Sequence, residues 1–467
     1  STPIKSSAAS DVYKRQYILL AFTCLGLQAC LFQEDDIFEK SSANRASENV
    51  AELQELLVNV PNGWKMEYYP GTDYSMGGIT LLCRFDGNNV TVMSEIGSAK
   101  TASGKEASSL YKITSEESTV LTFDSFNEFV HCFSEPVMGM NTNLEGDYEF
   151  VYMGQEDNKV FLQGRRYHNT MVMTPLTQGI SWKDYINQLN LIEREAFLKT
   201  YSLMVGGQKI GNAVRTSHLF SLTVDGQTGN VAPFIYTPEG IRFKDAISLQ
   251  GKNAQNFVWN KADMTFTCSD EGATDVVLKA FYPQNYTSYE DYLGFYYMFY
   301  KEYDQYNEAE DKVDFKPGYT VVELRQKVEG ESFMLVSSKL EAEAADIVVT
   351  YDKATGRLII KPQDVTVMGY PGALVIGFEQ GFLPAHYGLD LGNLAPLTEM
   401  EMGLVGIPEG SGDDLTLSFV EYGNVFSSMT GETATSLIFT AYDNENFSTN
   451  SYLGLIEWYD SIQLQKY

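Results

Sequence analysis

Ile79-Thr80-Leu81-Leu82-Cys83-Arg84-Phe85-Asp86-Gly87-Asn88-Asn89-Val90-Thr91-Val92 is the stretch that decides the class of fold. Side chains of a strand alternate faces with period two, so Ile79, Leu81, Cys83 and Phe85 share one side of an extended chain. Asp86-Gly87-Asn88-Asn89 supplies turn residues and Val90-Thr91-Val92 returns, which predicts an antiparallel hairpin with one buried face. The same grammar recurs at Trp64 to Tyr69, Ser109 to Thr114, Thr119 to Phe123, Tyr148 to Met153, Val160 to Gln163 and Thr170 to Met173. It resumes at Leu219 to Val224, turns at Asp225-Gly226 and continues through Phe234-Ile235-Tyr236. Many short strands joined by Asp/Asn/Gly turns predict a mainly β, β-rich α+β chain of barrels or sandwiches.

Helical spacing interrupts this pattern in a few places. Val50, Leu53, Leu57 and Val60 recur every three or four residues and stop at Pro61-Asn62-Gly63, as an amphipathic helix would. Phe126, Phe129, Val130 and Phe133 share a second helical face, and Ser181 offers an N-cap to a third helix carrying Tyr185, Leu189 and Ile192.

A second unit is expected from Tyr286. Its aromatic run, Tyr292-Leu293-Gly294-Phe295-Tyr296-Tyr297-Met298-Phe299-Tyr300, is followed by an acidic stretch from Glu302 to Asp314 that reads as poor in strand. Hairpin signals return at Ile347 to Tyr351, Asp352-Lys353-Ala354-Thr355-Gly356 and Leu358 to Ile360, and Leu455 to Tyr459 reads as a closing strand. The expectation is two antiparallel barrel- or sandwich-like domains, residues 47–285 with two or three helices and residues 286–467 without.

Upstream, residues 1–16 fit nothing that follows, and no methionine precedes Met66; they are expected to be a non-native artefact. Lys14 and Arg15 then precede the apolar run Tyr17 to Leu27, too short for the ~20 apolar residues of a spanning helix but suited to a signal peptide over residues 17–29. Leu27-Gln28-Ala29-Cys30 closes it as a lipobox does, so Cys30 is expected to carry the lipid. Several acyl chains on one residue anchor firmly, each buried CH₂ contributing ~0.8 kcal/mol. Residues 30–46 form an acidic tether in which Glu34-Asp35-Asp36 follow the lipid site. An acidic cluster at this place resembles the export signal of surface lipoproteins, and that resemblance implies an outer-membrane protein facing the cell exterior.

Pro61-Asn62-Gly63-Trp64-Lys65-Met66-Glu67-Tyr68-Tyr69-Pro70 after a short helix, Thr237-Pro238-Glu239-Gly240-Ile241-Arg242-Phe243, and the lipobox together resemble the Bacteroidetes surface lipoprotein family called domain of unknown function 4302. The resemblance spans roughly residues 30–285, and the remainder resembles β-domains appended to such lipoproteins. It implies no catalytic residues. It implies a place beside starch-utilisation-type outer-membrane transporters, and so a role in nutrient capture.

A formal charge of −29 excludes nucleic acid as a partner, since the basic footprint is missing. The four histidines, His131, His168, His218 and His386, form no metal motif, and Cys83, Cys132 and Cys268 form no CxxC pair. Three cysteines allow at most one disulfide. His131 beside Cys132 invites a base and nucleophile, but helical neighbours point apart. Asp443-Asn444-Glu445-Asn446 has closely spaced oxygen ligands but lacks the glycine and final glutamate of an EF-hand. No P-loop, GxSxG or GxGxxG occurs, so no cofactor is expected.

The aromatic run, with Trp64 and Trp458 elsewhere, is the best hint of a binding surface, because tyrosine and tryptophan offer flat apolar faces with a polar edge to sugars and peptides. Alternation divides it into Tyr292, Gly294, Tyr296, Met298 and Tyr300 on one side and Leu293, Phe295, Tyr297 and Phe299 on the other. The second set is more apolar and is expected to face the core, leaving Tyr296 and Tyr300 as candidate ligand contacts. The expected function is non-catalytic binding of a glycan or peptide for an uptake system, with a hydrolase or an adhesive surface protein as rivals.

Overall fold

The computed structural model describes residues 42–98, 100–115, 117–135, 143–310, 312–337, 344–345, 347–377, 403–423, 427, 431–444 and 451–467. Cys30, Glu34-Asp35-Asp36, His386 and Glu445-Asn446 lie outside them. The chain is mainly β, as expected, but residues 47–285 build two closed barrels rather than one body.

The first barrel is a meander of eight antiparallel strands: β1 (Trp64–Tyr69), β2 (Ile79–Asp86), β3 (Asn89–Ser94), β4 (Glu106–Ser115), β5 (Thr119–Phe123), β6 (Glu149–Glu156), β7 (Lys159–Gly164) and β8 (Thr170–Pro175). Trp64 sits opposite both Cys83 and Pro175, so β1 pairs on both sides and closes the ring. Trp64, Met66, Leu81, Cys83, Val92, Leu121 and Phe150 fill the interior. Helix α1 (Ser42–Val58) adds Leu53 and Leu57, and the indole of Trp64 donates to the Leu57 carbonyl at 3.0 Å. The short helix α2 (Glu128–His131) adds Phe129 and Val130, with Asn127 as its N-cap.

Helix α3 (Trp182–Glu195) leads into the second barrel, capped by the Ser181 hydroxyl as the sequence predicted. Its strands are β9 (Thr200–Val205), β10 (Gln208–Thr216), β11 (Leu219–Val224), β12 (Gln227–Thr237), β13 (Gly240–Leu249), β14 (Lys252–Asn260), β15 (Thr265–Cys268) and β16 (Val276–Ala280). Leu203 lies opposite Gly211 and Leu278, which closes this ring. Its interior is a set of mostly edge-to-face rings from Tyr201, Phe220, Phe234, Tyr236, Phe243, Phe257 and Phe266.

The two barrels are packed together. Tyr185, Ile186, Leu189 and Ile192 of α3 share one core with Leu82 and Met93 of the first barrel and the interior of the second. Gly77 forms a bridge with His218, and a Cβ on Gly77 would come within 2.1 Å of the His218 carbonyl; only glycine allows that approach. The His218 ring donates from Nδ1 to the Gly78 carbonyl at 2.6 Å. Glu67, only 3% exposed, takes Lys65 at 2.8 Å and Arg242 of the second barrel.

The third sheet contains another closed ring, β17 (Gly294–Asn307), β18 (Lys312–Val328), β19 (Ser332–Val336), β21 (Val348–Asp352), β22 (Arg357–Ile360), β25 (Gly403–Glu409), β26 (Thr416–Tyr422) and β28 (Tyr452–Lys466), shut by pairing of β17 with β28. A spur of β27 (Ser436–Tyr442), β24 (Tyr370–Gly377), β23 (Gln363–Val367) and β20 (Ala344–Ala345) continues from the other half of β28. Met298, Leu324, Leu335, Val349, Ile360, Phe419, Ile462 and Leu464 meet inside, leaving almost no empty volume. The acidic segment from Glu302 to Asp314 is not poor in strand: it forms most of the β17–β18 hairpin tip. Tyr303 stacks on Trp458 and Phe315 meets the same indole edge-on, so one face of that tip is covered although its sequence is rich in charge.

Candidate functional site

Strand β17 pairs along its length with β18 on one side and, over Tyr296 to Glu302, with β28 on the other. Its side chains therefore divide strictly between the ring interior and the outer face. The division is the reverse of the expectation. Tyr296 and Tyr300 point inward and are 0% and 5% exposed, whereas Phe295, Phe299 and the half-buried Tyr297 point outward.

The inversion has a local cause. A buried tyrosine is tolerated when its hydroxyl finds a partner, and the backbone provides one for Tyr296 and for Tyr292. Tyr296 donates to the Tyr292 carbonyl at 2.8 Å, and Tyr292 donates to the Gly356 carbonyl at 2.7 Å. Burial pushes both phenols well above their ordinary pKa, so they stay neutral. Tyr300 packs its ring edge-on against Tyr459 at 4.6 Å. Ranking Phe as more core-seeking than Tyr ignores these acceptors.

The outer face left by this arrangement is an aromatic platform. Phe295 is 50% exposed, Phe299 40%, Tyr319 of β18 66% and Tyr467 56%. Register places them together: Tyr297 lies opposite Val321 and Gln465, and Phe299 opposite Tyr319 and Gln463. Tyr297 stacks on Tyr467 with ring centres 4.5 Å apart, and Phe299 lies 6.2 Å from Tyr319. The exposed amides of Gln463 and Gln465 border the rings on β28. On β18, Glu323 and Arg325 pair with each other at 2.6 Å, so the border carries little net charge.

Contiguous exposed rings make this face the candidate interaction surface, because isolated apolar side chains are common on proteins and connected patches are not. Because β17 is hydrogen-bonded on both edges from Tyr296 to Glu302, a partner cannot add a strand at the platform and must be held there by side chains. Flat rings with amide donors and acceptors at their margin suit a ligand that has apolar ring faces and equatorial hydroxyls.

The other residues singled out by sequence sit in structural surroundings. Trp64 and Trp458 are buried. Nδ1 of His131 accepts the Asn127 amide at 3.1 Å, and burial pushes the Cys132 thiol to about 11, so it stays protonated at neutral pH. Cys83, Cys132 and Cys268 are all unpaired thiols. Among the described residues no group of three or more His, Cys, Asp or Glu could hold a metal ion, and no helix is long and apolar enough to cross a membrane.

Residues 34–261 match a family model described as a domain of unknown function (DUF4302), and residues 269–389 match a second domain of unknown function (DUF4987). The first match agrees with the resemblance read from the turn motifs. The boundary between the two falls inside the second barrel, between β14 and β16, so the matched units do not coincide with the closed rings. No curated protein matches the chain.

Proposed function

We propose that this protein is a non-catalytic, lipid-tethered surface module that holds a neutral glycan on the aromatic platform of its third barrel, as an accessory to an outer-membrane nutrient-uptake complex. The observation that carries this reading is the outer face of β17, where Phe295, Tyr297 and Phe299 join Tyr319 and Tyr467 in one exposed array. A soluble protein gains nothing in stability from leaving such rings in water, since burying a large aromatic side chain is worth ~2–3 kcal/mol. Sugar rings bring C–H faces to the aromatic surface and hydroxyls to Gln463 and Gln465. The tether follows from the lipobox at Cys30, and the cell-surface address from Glu34-Asp35-Asp36.

Affinity electrophoresis and calorimetry against soluble neutral glucans, xylans and mannans test the platform. Phe299→Ala and Tyr319→Ala are each expected to weaken binding about fivefold to tenfold, as loss of ~1 kcal/mol of stacking implies, with unchanged melting temperature. Binding that is indifferent to both substitutions, or confined to peptides, overturns the glycan assignment, and turnover of a glycan overturns the non-catalytic one. For the tether, Cys30→Ala is expected to release the protein from the membrane fraction and to remove the acyl mass.

A further inference from the structure

A second recess, on the first barrel, has the build of a ligand site. A cleft of about 540 Å³ is lined from β4, β5, the start of β6, the turn after β7 and α2, within the size range of small-molecule sites. Its floor is rigid. The buried carboxylate of Asp147 accepts the amides of Arg166 at 2.8 Å, Tyr167 at 3.1 Å and Asn169 at 3.2 Å, which fixes the turn after β7. The Asp147 amide in turn donates to the hydroxyl of the core residue Tyr68 at 2.8 Å. A Cβ at Gly164 would come within 1.8 Å of that carboxylate, so the strand end needs glycine.

One wall is aromatic. The His131 ring stacks on Tyr148 with centres 4.6 Å apart and planes 20° apart, and Phe126 leans on the same imidazole at 5.3 Å. Tyr148 and Phe126 are 40% and 49% exposed. Since Nδ1 of His131 accepts from the Asn127 amide, the ring proton of the neutral form sits on Nε2, and partial burial favours that neutral form. The rest of the lining is polar, with Arg165 paired to Glu149 at 3.7 Å and Lys112 paired to Asp124. Arg166 lies over the Tyr167 ring at 4.8 Å.

We infer that this cleft is a second carbohydrate site, which takes one or two rings at the end of a neutral saccharide. Most of the charged groups that line it are paired with a neighbour of opposite sign, Arg165 with Glu149 and Lys112 with Asp124, so a charged ligand would compete with those partners. A polyol uses guanidinium, ammonium and carboxylate groups together as fixed donors and acceptors without displacing any. The stacked wall then receives a pyranose face. The site is independent of the third barrel: the platform suits a chain lying flat, and the cleft suits a chain end.

The protein has four histidines, so ring-labelled histidine gives few NMR signals, and loss of one in His131→Asn assigns this residue. Maltose, cellobiose, lactose and N,N′-diacetylchitobiose are titrated to roughly 10 mM, a range that captures the weak millimolar affinity of single-sugar contacts. At least one is expected to shift the His131 ring signals. Tyr148→Ala, at an exposed position, is expected to weaken that binding about tenfold with unchanged melting temperature. Arg166→Ala is expected to do the same by removing a donor from the polar part of the lining. Phe299→Ala is expected to leave it intact, which separates this site from the platform. A His131 signal unmoved by every disaccharide overturns the inference, and so does a preference for galacturonate dimers over neutral ones.

Discussion

Glu95 lies directly after β3 at the junction of the first two barrels, 6% exposed, with one carboxyl oxygen accepting the Thr80 amide at 2.5 Å. Burial first, and then the negative field of Glu193, push its carboxyl from 4.5 to about 8, against the hydrogen bonds from Thr80. The carboxyl is therefore largely protonated in the folded protein at neutral pH, while the unfolded chain ionises near its ordinary value. A folded value raised above the unfolded one means that the associated stability is complete below about pH 4.5 and is lost as pH rises through about 8. Each pH unit in that window costs about 1.4 kcal/mol, so the whole window costs about 5 kcal/mol, an upper figure because relaxation and entering water reduce it. Glu95→Gln keeps an acceptor for the Thr80 amide and removes the titration. Urea unfolding followed by tryptophan fluorescence between pH 4.5 and 9 compares the two proteins, since Trp182 of α3 packs at the same junction. The stabilities should match near pH 4.5, and the Gln variant should lead by several kcal/mol at pH 8. The comparison between variants cancels other titrating groups. A stability difference that does not change with pH would refute the placement of an uncompensated carboxyl at this junction.

Tyr296→Phe should lose about 1 kcal/mol, the net worth of its hydrogen bond to the Tyr292 carbonyl, whereas Tyr296→Ala should lose about 3–5 kcal/mol as a core truncation; thermal melts of both check the inward assignment of that face, and a neutral Tyr296→Ala would reverse it. Arg242→Ala leaves the buried Glu67 with Lys65 alone and should cost about 3 kcal/mol, read in the first denaturant transition, with the Glu67→Gln/Arg242→Met pair recovering part of the loss.

Turn chemistry made most strands legible. Asp86-Gly87-Asn88-Asn89 joins β2 to β3, and Asp352 to Gly356 joins β21 to β22, where period-two alternation and turn residues placed them. The three helices were legible from spacing and from the Ser181 cap. Ring closure was not, because Trp64 pairs with Pro175 and Tyr297 with Gln465 across long separations that no local pattern encodes. The two faces of the aromatic run were assigned the wrong way round: residue type ranks Phe above Tyr for burial, while the acceptors at Tyr292 and Gly356 that reverse the ranking come from the fold. Glu302 to Asp314 was misread because a projecting hairpin tip is charged for solubility even when Trp458 covers one side.

The double membership of β28 has a consequence for biogenesis. The first two rings are complete once β8 and β16 have emerged, each after a run of hairpin-connected neighbours. The third cannot shut until Tyr452–Lys466 arrives to pair with β17, which begins at Gly294. Such distant pairing slows folding, since a long loop must be closed before its contacts form. Meanwhile one hydrogen-bonding edge of β17, dense in Tyr and Phe, stays open to any other strand. Chain synthesis thus passes through an interval in which the aromatic strand is the sticky edge of an unfinished cylinder, and holdase protection during that interval matters more for this barrel than for the other two.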